Sequence, residues 1–187
     1  TPSTAGTYNV VVNATNVAAG TVTGSSVVNI TIFPAGGVTR EILATTGSGV
    51  SQIVIPTGDP GHTTIATIDD NTDRSNNTGV RLRGYLVPPK TGNYYFWIAA
   101  NNAAELWISN DHEYVNRVRR ASVTATTGYK TWNALDYDHD SNVNTPPLRP
   151  QMSPWLSSVA GEKYYFEVLH NTGSDADDHV AVGWCQD

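Results

Sequence analysis

Apolar residues in this chain recur at every second position, and no segment sustains a 3.6-residue period with helix caps. The clearest instance is "GNYYFWIAA" at residues 92–100. Tyr94, Phe96 and Ile98 fall on one side and Tyr95 and Trp97 on the other, which predicts a strand with two occupied faces. "VTREIL", "SGVSQIVI", "VRLRGYLV", "AELWISND", "RVRRASV", "GEKYYFEVLHN" and "DHVAVGW" read as further strands. Turns such as "PPKTG" separate them, with Pro fixing φ and Gly supplying positive φ. The polar stretches "PTGDPGHTTIATIDDNTDRSNNTG" and "DYDHDSNVNTPPLRPQMSP" read as loops. Many short strands with Gly/Pro turns predict an all-β protein, an antiparallel two-sheet β-sandwich or barrel.

The first residues stand apart. "TYNVVVNAT" and "SSVVNITIF" alternate like strands, with the Gly- and Ala-containing "NVAAGTVTGS" between them. Two strands alone are not stable in water, so this pair needs a cover. "FPAGG" at 33–37 then punctuates the chain. The expected organisation is a two-strand appendage at 1–35 followed by a domain at 36–187. The appendage resembles the last hairpin of an immunoglobulin-like or cadherin-like module. It is expected to pair with other domains, or with copies of the same protein, by strand addition.

Composition narrows the setting. The 187 residues carry 17 acidic and 11 basic side chains, a net charge of −6 that argues against nucleic acid and anionic membrane as partners. Charged residues are only 15%, and Thr, Ser and Asn take up the surface instead, as in secreted or cell-surface proteins. The single cysteine, Cys185, cannot form an internal disulfide. No run is long enough to span a membrane, and no signal peptide is evident, so a mature form or a fragment is expected. Asn13, Asn29 and Asn76 each open an Asn-x-Thr acceptor pattern for glycosylation.

"VRLRGYLVPPKTGNYYFWIAANNAAELWISND", followed by "GEKYYFEVLHNTGSDADDHVAVGW", resembles the PA-14 domain. "VTREIL" resembles its opening strand and "TGYKTWNAL" the segment after its central strands. The resemblance implies a β-sandwich and a carbohydrate-binding role. It also implies a site: many sugar-binding members have a cis-linked Asp-Asp pair where this chain has Asn101-Asn102, and that pair ligates a calcium ion which holds sugar hydroxyls. Two Asn keep the oxygens and lose both charges. The final loop, "HNTGSDADDHVAVGW", brings Asn171, Asp177 and Asp178 as further candidate calcium or sugar ligands; Asp178-His179 resembles the family's Asp-His step, and Asp175 and Asp177 are local additions.

Each candidate has a bland reading beside it. Asn101 and Asp178 also suit a tie between two turns through backbone hydrogen bonds, and then the 101–102 peptide is expected trans. His170 and His179 suit satisfied structural histidines. Asp136, Asp138 and Asp140 alternate as in calcium loops, but Ser141 stands where Gly is needed and Pro147 where Glu is needed, so a solvated loop is the default. Trp97, Trp107 and Trp184 are expected in the core, with Trp132 and Trp155 nearer loops and available to a sugar. Arg117, Arg119 and Arg120 are expected on a solvated face with acidic neighbours. No nucleophile, zinc or phosphate motif is present, and a non-enzyme is expected. Two functions follow: an extracellular carbohydrate-binding or adhesion module, with calcium assistance implied by the resemblance, or a structural building block of a surface fibre whose sugar site has decayed.

Overall fold

The computed structural model describes residues 6–16, 21–32, 37–74, 78–132, 150–174 and 176–186. Strands β1 (Gly6–Asn16) and β2 (Thr21–Ile32) pair with each other in an antiparallel two-stranded sheet. The remaining ten strands build two further antiparallel sheets. They are β3 (Val38–Ala44), β4 (Thr63–Ile65), β5 (Asp69–Asp70), β6 (Thr78–Leu86), β7 (Gly92–Ala100), β8 (Ala104–Ile108), β9 (Val118–Val123), β10 (Leu156–Ser158), β11 (Tyr164–Asn171) and β12 (Val180–Gln186). The six-stranded sheet runs β4-β3-β6-β11-β8-β9 and the four-stranded sheet β10-β7-β12-β5. This is the all-β two-sheet sandwich that the alternation predicts.

The core forms where the two inner faces meet. Tyr94, Phe96, Ile98 and Val180 from the small sheet meet Val80, Leu82, Leu106, Phe166 and Val168 from the large one. Every second residue of β7 is buried from Tyr94 onward, while Tyr95 and Trp97 are half-buried on the outer face. The outer face of the large sheet is charged yet closed. Glu41 is fully buried between Arg81 and Arg83, and Glu167 lies beneath Arg117 and accepts a hydrogen bond from Tyr165. Burial pushes the Tyr165 hydroxyl upward, and the Glu167 charge adds to it.

Several local readings are corrected. "SGVSQIVI" is not a strand: Val50–Gln52 forms a 3-10 turn, and Ile53 makes only an isolated bridge to Thr45. Asn171 Nδ2 binds the carbonyls of Gly47 and Gly49, holding this stretch as a loop. The polar stretch read as a loop contains β4 and β5. Trp184 is not core. It pairs in register with Phe96, yet it is 53% exposed, because it stands near the end of β12, beside a half-open cleft of about 210 Å³. Arg119 meets Glu105 on the expected exposed face, but Arg117 stacks over Tyr114, and Arg120 is half-buried, which lowers its pKa. Asn13 and Asn29 fall within β1 and β2. Asn76, Asp136, Asp138, Asp140 and Asp175 lie outside the described residues.

Strand direction gives the sandwich two unlike poles. One gathers the turn after β7, the β11–β12 loop, the loops after β3, β5 and β9, and the start of β6. The other holds the start of β3 and the end of β12, so the chain enters and leaves the two-sheet body at the same pole.

Candidate binding site

Asn101-Asn102 forms the tip between β7 and β8 at the first of these poles. Asn101 is buried and locked on every side. Its N–H donates to the His179 carbonyl at 2.9 Å and its Nδ2 to the Asp177 carbonyl at 3.2 Å. His170 Nε2 lies 2.5 Å from its carbonyl, and Asn102 Nδ2 donates to its Oδ1. Asn102 takes the left-handed region at φ 62° and donates through Nδ2 to the Thr172 carbonyl at 2.9 Å. Short polar side chains tolerate that region better than others do. Among the described residues no peptide bond is cis.

The final loop is anchored as firmly. Asn171 uses its whole amide: Nδ2 donates to Gly47 and Gly49, and Oδ1 accepts from the Gly173 N–H at 3.1 Å. Asp73 reaches across from the loop after β5 and accepts from the N–H groups of Asp177 and Asp178 at 2.8 and 3.1 Å. Asp178 Oδ2 in turn accepts from the Arg74 N–H at 2.7 Å. Among the described residues its buried Oδ1 has no hydrogen-bond partner. Burial raises the Asp178 pKa. Arg74 and Arg40 both pair with buried Asp70 beneath the loop.

The two histidines are built into the scaffold. Burial holds His170 down to about 4, so it is neutral and donates to Asn101. His179 sets both ring nitrogens within 2.9 Å of carbonyl oxygens, those of Asp177 and Thr127. Tyr129 packs edge-on against His179, and its hydroxyl donates to Asp69. Lys130 also reaches Asp69, at 2.9 Å, and that hydrogen bond raises its pKa to about 12. Beyond it opens a depression of about 680 Å³ lined by Trp97, Lys130, Thr131, Trp132, Gly183 and Trp184. Trp132 lies on Gly183, where a Cβ would stand 3.1 Å from the indole.

As arranged, this donor set does not fit calcium. The ion takes six to eight oxygens. Asn101 and Asn171 spend their oxygens internally, and the amide nitrogens of Asn101 and Asn102 face the carbonyls of the final loop. Two adjacent carboxylates remain, Asp177 and Asp178. Among the described residues no group of three or more His, Cys, Asp or Glu is placed to hold a metal.

The structure therefore brings together Asn101, Asn102, Asn171, Asp177 and Asp178 at one pole. Sequence reading missed Arg74 and the part Asp73 plays in tying the final loop, since both sit in a polar stretch about a hundred residues away. It also missed Lys130 and Tyr129, whose only signal is their place beside Trp132.

A two-sheet β-sandwich with its polar turns gathered at one pole defines the class. Residues 60–184 match the PA14 domain, and the chain belongs to that family. Curated relatives include the mouse N-acetyl-beta-glucosaminyl-glycoprotein 4-beta-N-acetylgalactosaminyltransferase 1, 29% identical over 108 residues that cover 58% of this chain and 10% of that protein. Dog fibrocystin is 34% identical over 90 residues, covering 48% of this chain and 2% of fibrocystin. The chain thus spans a tenth or less of the curated relatives it matches. Among solved structures, an anti-sigma factor domain-containing protein from Clostridium clariflavum shares the fold with a TM-score of 0.51 at 15% identity, over 88% of this chain and 52% of that one.

Proposed function

We propose that this chain is a carbohydrate-binding module of a larger secreted or cell-surface protein, that it is not itself an enzyme, and that it binds glycan without calcium. The observation that carries the reading is the depression lined by Trp97, Lys130 and Trp132 on the outer face of the four-stranded sheet. A sugar ring has an apolar face and a polar rim. Flat indoles suit the first, and ammonium, hydroxyl and amide groups suit the second. The depression falls in the size range of small-ligand sites. Supporting context comes from membership of the PA14 family and from a relative whose name places it in glycoprotein glycan synthesis. The pole of the Asn turn also lies opposite the chain connections, so a larger protein can hold the module by one end and present the other.

A second reading has its own support. The hydrogen bonds that close Asn101, Asn102 and Asn171 onto backbone carbonyls suit a structural block in a surface fibre, with the family's metal site lost. A glycan array probed with the whole chain in the presence of a calcium chelator separates the two. The binding reading expects saturable binding to at least one glycan class, lost in Trp132→Ala. Absence of saturable binding, with and without added calcium, overturns it in favour of the structural block.

A further inference from the structure

We propose that Asp69 sets the charge preference of the Trp97–Trp132 depression: by neutralising Lys130 it makes the site one for uncharged glycans and turns acidic ones away. This rests on the depression being a glycan site, as proposed above, and names the class of glycan that it takes.

Register puts Asp69 on the same face as the depression. β5 pairs with β12 through Asp69 and Ala181, and β12 pairs with β7 through Ala181 and Ala99 and through Gly183 and Trp97. Cross-strand partners share a face, as do residues two apart on a strand. Asp69, Ala181, Ala99, Gly183 and Trp97 therefore stand on one outer surface, while Asp70 turns the other way, to Arg40 and Arg74. The small residues between Asp69 and Trp97 leave room for the segment 127–132. Thr127 donates its N–H to the Ala100 carbonyl, and Trp132 rests on Gly183.

Lys130 is held towards Asp69 in a strained turn. The Thr131 N–H donates to the Gly128 carbonyl at 2.9 Å, closing a turn in which Lys130 takes φ 55°. That conformation suits Gly and strains Lys, so it persists only where the surroundings hold it. Asp69 supplies the hold. Its Oδ2 lies 2.9 Å from Lys130 Nζ and accepts from the Tyr129 hydroxyl at 3.2 Å, while its Oδ1 accepts from the Thr67 hydroxyl at 2.9 Å.

Among the described residues Lys130 is the only charged group lining the depression, and a carboxylate already meets its charge. A sulfate, or the carboxylate of an acidic sugar, drawn to Lys130 would meet Asp69 beside it, in a chain of net charge −6. Like charges brought together across a contact suppress the wrong partner. A sugar hydroxyl meets no such repulsion. The ammonium has three N–H donors, more than Asp69 uses, and a hydroxyl both accepts and donates.

Paired glycans test this: a neutral oligosaccharide and the same one bearing a terminal sialic acid or a sulfate, each titrated with the whole chain at physiological salt. The parent is expected to bind the neutral member about tenfold more tightly, since screening at an exposed site trims a like-charge repulsion without removing it. Asp69→Asn keeps the size of the side chain and an acceptor for its neighbours but frees the Lys130 charge. It should bring the ratio to one or invert it. Lys130→Gln leaves Asp69 uncompensated and should widen the ratio, and lost folding cannot move the two variants in opposite directions. A parent that binds the acidic member equally or better overturns the proposal, as does a ratio that neither variant moves. Those outcomes leave the glycan reading standing. Saturable binding to neither member of any pair sinks that reading, and this proposal with it.

Discussion

Asn102 and Gly173 fit together only because residue 173 has no Cβ. A Cβ there would stand 2.5 Å from Asn102 Nδ2, and Gly173 itself sits at φ 68°. The turn after β7 and the final loop are thereby pressed into one surface, with Asn102 donating to the Thr172 carbonyl. Space and backbone conformation both demand glycine.

Gly173→Ala is therefore expected to destabilise the domain by about 1–3 kcal/mol, from the left-handed backbone and the displaced amide together. Urea unfolding measures it. A stability equal to the parent's would show that the two loops separate freely.

Calcium titration calorimetry of the whole chain should give no saturable heat, because Asn101, Asn102 and Asn171 already spend their amides on one another and on backbone. A saturable signal that disappears in both Asp178→Ala and Asn102→Ala would restore a calcium site at this pole.

Stability should fall as pH drops from about 6.5 to about 4. Burial holds folded His170 near 4 against its ordinary 6.5, so between those values the unfolded chain binds a proton that the folded chain refuses. The sign follows: stability is present above the unfolded value and is lost as pH falls towards the folded one. The full window is worth roughly 3 kcal/mol. Urea midpoints taken across this range should show the slope, and His170→Gln should flatten it.

Glu41→Ala should cost about 3–5 kcal/mol, since it leaves Arg81 and Arg83 as largely buried cations without their shared carboxylate. Replacing Glu41 and Arg81 together with methionine should cost less than the single change, because the more buried of the two uncompensated cations goes with its partner and only the more exposed Arg83 remains. Chemical denaturation of the two variants side by side checks the order.

The sequence by itself determined the strands and their faces. Alternation in "GNYYFWIAA" places Tyr94, Phe96 and Ile98 inward because side chains on a strand change face at every residue, and that rule is local. The longer strands, the sandwich class and the family resemblance were legible for this reason. The short strands β4, β5 and β10 were not, since two or three residues carry no period. Exposure at a strand end was also beyond it: Trp184 shares a face with Phe96 yet stands in the open, because the pole of a sandwich ends where the chain turns. Tertiary structure alone decided what the site residues do. Asn171 reads as a ligand until Gly47 and Gly49 arrive to occupy its amide, and Asp178 until the Arg74 N–H claims one oxygen and burial isolates the other. Hydrogen-bond partners a hundred residues apart leave no mark in local spacing. Only the folding of both sheets brings them within reach, and a polar group's chemistry is set by what it meets there.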